Sequence, residues 1–147
     1  MSNTSPAAAP LWFKIAAVAA VVWGLVGVHA CYSQLTLSPA QLAALPAAQR
    51  GAFAAMPAAI KIDYALAVAT GLAGGMCLLL RNAWARAAFS VSLVAVIVQF
   101  GWVFLIYRGP MSTGPSVYAF PAFVAAVCGA EIWLAGVAAK RGWLGRG

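Results

Sequence analysis

Acidic charge is nearly missing from this chain: across 147 residues it rests on Asp63 and Glu131 alone. Charged residues of both signs make up 7% of the sequence against 65% hydrophobic, and the mean hydropathy is +0.93. An average soluble domain carries roughly a quarter charged residues, so there is too little polar surface here to coat a globule in water. Histidine occurs once, at His29, and Cys31, Cys77 and Cys128 form no CxxC pair. That combination argues against a zinc site of several His and Cys ligands and leaves at most one haem ligand per chain. A Gly-rich phosphate loop, a GxSxG elbow and an HExxH motif are all lacking. No catalytic residue, metal site or cofactor is therefore expected, and enzymatic chemistry of the soluble kind finds no support. Nine Lys and Arg bring the net charge to +7. They are scattered singly among apolar runs, so membrane topology explains them better than nucleic acid does.

What the chain has instead is four apolar stretches, about 11–35, 59–80, 84–107 and 116–139. Each is long enough to cross the hydrocarbon as a helix, which needs about 20 mainly apolar residues. The fold expected is all-α, a four-transmembrane-helix bundle over 11–139, with a disordered tail over 1–10 and a basic tail over 140–147. Arg81–Arg86 reads as a tight basic turn, and RGPMSTGP (108–115) as a Gly/Pro loop that cannot continue a helix. In the connector 36–58, Ser38-Pro39 reads as an N-cap followed by proline at the first helical position. Leu45-Pro46 and Met56-Pro57 bracket a second short helix. Both are expected to lie at the membrane interface, as a lid or partner surface or as a plain connector.

One set of flanks holds Lys14, Arg81, Arg86, Lys140, Arg141 and Arg146, the other only Arg50, Lys61 and Arg108. The positive-inside rule then predicts both termini in the cytoplasm of a bacterial inner membrane. Trp12, Trp84 and Trp143 fall at the inner boundary, and Tyr32, Tyr107 and Tyr118 at the outer one, as interfacial belts. Val28-His29-Ala30-Cys31 loosely matches a lipoprotein cleavage site with Cys31 lipidated. The atypical histidine and the long uncharged leader favour uncleaved insertion.

Helical rotation of about 100° per residue sorts the polar positions into faces. On span one, Ala16, Ala20, Gly24, Gly27, Cys31 and Gln34 share a small-residue stripe, and His29 stands opposite with Val18, Val22, Leu25 and Tyr32. Span two lines up Asp63, Ala67, Thr70, Gly71 and Gly74; span three lines up Ala88, Ser92, Ala95 and Gln99. On span four Glu131 shares its face with Cys128 and Ala135. Gly24, Gly27, Gly71 and Gly74 are expected to let helices approach closely. Gln34, Asp63, Gln99 and Glu131 descend in that order from the outer mouth, an expected polar crevice. Glu131 has no Lys or Arg at matching depth, so charging it is costly unless water or a cation arrives. Intramembrane carboxyls of this kind couple ions or bind cationic ligands, or simply hydrogen-bond a neighbouring helix. His29 could carry a proton, touch a ligand or face a partner.

With WGLVGVHACYSQL (23–35), LPAAQRGAFAAMPA (45–58) and VQFGWVFLI (98–106) in view, residues 20–107 resemble small bacterial four-helix inner-membrane proteins loosely labelled "sugar transporter". The resemblance implies transport and brings no defined site residues with it. At His29 that group more usually has an aromatic or apolar residue. Two functions are therefore expected to compete: a carrier or ligand-binding protein for a small solute, and a non-catalytic accessory or assembly subunit of a larger membrane complex. Four short spans enclose little volume, so a carrier would need a homodimer.

Overall fold

The computed structural model describes residues 8–107 and 116–145, so most of the expected 1–10 tail, the 108–115 loop and the end of the basic tail lie outside the described residues. The described chain is all-helical, with α1 (Leu11–Leu35), α2 (Pro39–Ala44), α3 (Ala47–Ala55), α4 (Ala58–Leu79), α5 (Ala85–Gly101) and α6 (Ser116–Lys140). A π-helical segment, Trp102–Tyr107, extends α5. Four helices, Leu11–Leu35, Ala58–Leu79, Ala85–Tyr107 and Val117–Lys140, are long and apolar enough to cross a membrane. Their outward faces are bare hydrocarbon, Ile15, Val22, Leu25, Val94 and Ile97 among them. Apolar surface on this scale marks a face built for lipid.

Packing follows chain order: α1 lies on α4, α4 on α5, and α5 on α6. Glycines set the spacing. A Cβ at Gly24 of α1 would come within 2.7 Å of Leu72 Cα on α4, and one at Gly27 would rest on Val68. Along the other flank of α4, Gly71 makes room for the Ser92 hydroxyl and Gly74 for the Phe89 ring of α5. The buried Ser92 Oγ donates to the Ala67 carbonyl at 2.7 Å, a polar tie between α4 and α5. Gly75 was not part of the sequence stripe, yet it faces the backbone of Ala20 and Val21 directly.

The start of α1, the end of α6 and the α4–α5 turn meet at one end of the bundle, where α4 and α6 stop by the same device. The Asn82 amide donates to the Cys77 carbonyl with Arg81 in the left-handed region, and the Trp143 amide donates to the Ala138 carbonyl with Gly142 left-handed. These are Schellman-type ends, in which a left-handed residue lets the next amides cap the last turn. Side by side, they let Arg81 Nε donate to the Trp143 carbonyl at 2.7 Å while the Gly145 amide donates to the Arg81 carbonyl. Trp143 is consequently buried, its ring against Phe13 and Trp12. Its expected place in an interfacial belt is corrected: Trp84 is exposed as a belt requires, but Trp143 plugs the bundle end. Arg81→Ala is expected to lower stability by about 1.5–3 kcal/mol, the worth of a hydrogen bond from a charged donor. Arg81→Gly should recover about 1 kcal/mol of that, because glycine takes the left-handed backbone freely. Thermal unfolding in detergent should rank wild type above Arg81→Gly, and Arg81→Gly above Arg81→Ala.

At the opposite end the connector has the expected form. Ser38 Oγ accepts from the Gln41 amide and Gln41 Oε1 from the Ser38 amide, a reciprocal capping box ahead of Pro39. Helix α3 leans on the π-helical segment, with Gly51 under the Tyr107 hydroxyl. Trp102 and Tyr107 stack at 5.5 Å. Five residues apart, they would diverge by about 140° on an α-helix. The wider i→i+5 turn is what brings them together.

Candidate polar site within the bundle

Of the polar group that closes span one, Cys31 and His29 separate as the periodicity expects, whereas Gln34, placed on the stripe with Cys31, is exposed. Cys31 is buried toward α4, in the neighbourhood of Tyr64, whereas His29, Tyr32, Ser33 and Gln34 are exposed. Ser33 Oγ donates to the His29 carbonyl at 2.8 Å, so its hydroxyl is satisfied within its own helix. His29 stands on the exposed apolar face with Val18, Val22 and Leu25, pointing away from the other polar candidates.

Glu131 is the most deeply placed carboxyl, 8% exposed on the α5-facing side of α6. Its neighbours along the chain belong to different packing layers. Cys128 joins Ala67, Ala95 and Val96 in one cluster; Leu134 and Ala135 join Phe13, Phe89 and Leu78 in the other. Glu131 thus sits at the seam between two apolar layers. Its polar surroundings are Cys128 one turn back and, beside that thiol, the Ser92 hydroxyl.

Asp63 is half-buried and lies four residues before Ala67, toward the connector end. Glu131 lies three residues beyond Cys128, toward the terminal end. Since Ala67 and Cys128 share a layer, the two carboxyls are separated by about 10 Å along the bundle axis. The layer of Ala67, Ala95 and Cys128 stands between them.

Gln99 lies four residues from Ala95 toward the connector, which sets it level with Asp63 rather than below it. Depth counted from helix ends misplaces it, because the π-helical segment carries span three past the end of α4. Asp63 lines a groove of about 300 Å³ between α4 and α5 with Leu66, Ser90, Val91, Val94 and Ala95. It is the one member of the five sequence candidates to do so. Asp63 Oδ2 is buried and has no hydrogen-bond partner among the described residues. Ser90 escaped sequence reading because it lies off the Ala88–Ser92–Ala95–Gln99 stripe.

Among the described residues no group of three or more His, Cys, Asp and Glu could hold a metal ion. What the arrangement offers chemically is one buried carboxyl at the seam and one carboxyl on a groove, both within membrane spans. The chain is a multi-pass integral membrane protein by its four long apolar helices. Comparison with protein families, curated proteins and solved structures finds no match to it.

Proposed function

We propose that this chain is a carrier or ligand-binding protein for a small solute, with Glu131 as the group that responds to ion or ligand. The observation carrying this reading is a carboxyl 8% exposed in the membrane-embedded part of the bundle. An ionisable group kept there is costly, and a function is the usual return on that cost. Gln99 and Gln34 lie toward the connector end, beyond the Ala67–Ala95–Cys128 layer, and the likeness of residues 20–107 to the "sugar transporter" group points to transport. A single copy encloses little room, so a homodimer completes the path. A thermal-shift screen of small solutes across acid and neutral pH tests the reading. At least one solute is expected to stabilise the wild type in a pH-dependent manner, and Glu131→Gln should lose that dependence with expression intact. An unchanged pH dependence would remove Glu131 from the account.

The second reading, an accessory or assembly subunit, draws on the buried layer of Ala67, Ala95 and Cys128, which closes the direct route from Asp63 to Glu131. The exposed face of α1, with His29 on it, would then meet the partner. A stoichiometric partner protein in a pull-down distinguishes it.

The orientation proposed is both termini in the cytoplasm of a bacterial inner membrane, from six Lys and Arg on the terminal side against three on the connector side. A green fluorescent protein fused at the C-terminus should fluoresce, and alkaline phosphatase fused there should be inactive. The reverse pattern would invert the topology.

A further inference from the structure

Asp63 combines two features that the Glu131 reading leaves unused. Its Oδ2 is buried with no donor, and the groove it lines is otherwise almost wholly apolar, walled by Leu66, Val91, Val94 and Ala95. Leu66, Val91 and Val94 are exposed on the outer surface of the bundle, so the groove opens sideways to the bilayer. Lys61, two residues away on α4, is about 200° around the helix and exposed. Ser90 marks the far end, its Oγ already donating to the Arg86 carbonyl at 2.9 Å. Since Asp63 is level with Gln99, and Ser90 lies nine residues from Gln99, the groove runs about 13 Å along the helices.

A carboxylate at one end of a lipid-facing apolar trough, short of one donor, is complementary to one chemistry: a cationic head on a single alkyl chain. We propose that the α4–α5 groove binds an amphiphilic primary amine dissolved in the bilayer. Its ammonium donates to Asp63, and its chain lies along Leu66, Val94 and Val91 toward Ser90. An alkane would fill the trough but leave the carboxylate without a donor or counter-charge, and an anionic head would be repelled by it. The groove lies on the flank of α5 away from the Leu93 and Phe100 side that packs with α6. This site therefore stands or falls separately from Glu131.

The test uses the full chain in phosphatidylcholine nanodiscs and measures binding of radiolabelled dodecylamine, with empty nanodiscs subtracted. Saturable binding of one amine per chain is expected, not displaced by dodecane, which has the chain but no donor. Asp63→Asn removes the charge, and Val94→Phe fills the groove from its lipid face; each should weaken binding about tenfold or more. Leu25→Phe, on the exposed face of α1, and Glu131→Gln should leave it unchanged. If Asp63→Asn does not fold, Val94→Phe carries the test. The proposal is overturned if dodecane displaces the amine, or if the folded groove variants bind it as wild type does.

Discussion

Gly24→Leu is expected to cost about 3 kcal/mol of bundle stability, the upper part of the range for overpacking a tight interface. The reason is what a side chain would meet. Even a Cβ at Gly24 would lie 2.7 Å from Leu72 Cα, and a backbone atom cannot turn aside as a side chain can. The helices must separate, which also strips the neighbouring contacts of Gly27 on Val68 and of Gly75 on the Ala20–Val21 backbone. Association of helices in lipid rests on such close packing, because lipid tails offer no hydrophobic penalty to drive them together. The matched controls are Gly129→Ala and Gly136→Ala on α6, where a Cβ meets nothing within 4 Å. There the substitution should be neutral or stabilise by up to about 1 kcal/mol, the helix-propensity difference. Thermal unfolding in one detergent checks all three. Equal losses at Gly24 and Gly129 would show that these glycines act through the backbone alone, not through the α1–α4 approach.

The second large effect is at Glu131, and its sign separates function from scaffolding. A buried carboxyl kept for its chemistry is a stability cost, and replacing it with an apolar residue of similar size returns that cost. Glu131→Leu is therefore expected to stabilise the bundle by about 1–3 kcal/mol while abolishing any solute response. The substitution places an apolar side chain between Cys128 and the Leu134–Ala135 layer, where the neighbours on both sides are already apolar. A carboxyl serving as interhelical glue behaves oppositely, because its removal leaves a partner unsatisfied. A fall in unfolding temperature for Glu131→Leu would make Glu131 structural and favour the accessory reading.

The spans were legible because hydrophobic length is a strong signal. The stretches read at 11–35 and 59–80 match Leu11–Leu35 and Ala58–Leu79 closely. The Ser38 cap was equally legible, since serine followed by proline marks a helix start by local chemistry; the reciprocal bond from Gln41 was seen only in the structure. Periodicity also sorted buried Cys31 from exposed His29.

What escaped depends on register between helices or on three-dimensional closure. Sequence placed Trp143 in a belt; its burial requires the two Schellman ends to meet, which no single-helix pattern encodes. The π-helical turn at Trp102–Tyr107 has no periodic signature of its own. Gln99 was displaced by a level because span three reaches farther beyond the Ala67–Ala95 layer than α4 does, so depths counted from the two helix ends share no origin. Gly75 lies beside the stripe that periodicity picked out, about 40° round α4 from Gly71, at the edge that meets α1 rather than α5. The candidate site was legible as residue types and depths. The layer of Ala67, Ala95 and Cys128 between its two carboxyls was not, because it is assembled from three helices.

Native mass spectrometry of the protein extracted gently from its own membranes, with Glu131→Gln beside the wild type, separates a carrier from an accessory subunit. A carrier is expected as a homo-oligomer with a reproducible small-molecule adduct that the Glu131→Gln protein lacks. A fixed-stoichiometry complex with a different protein, identical in both and free of adduct, would contradict it.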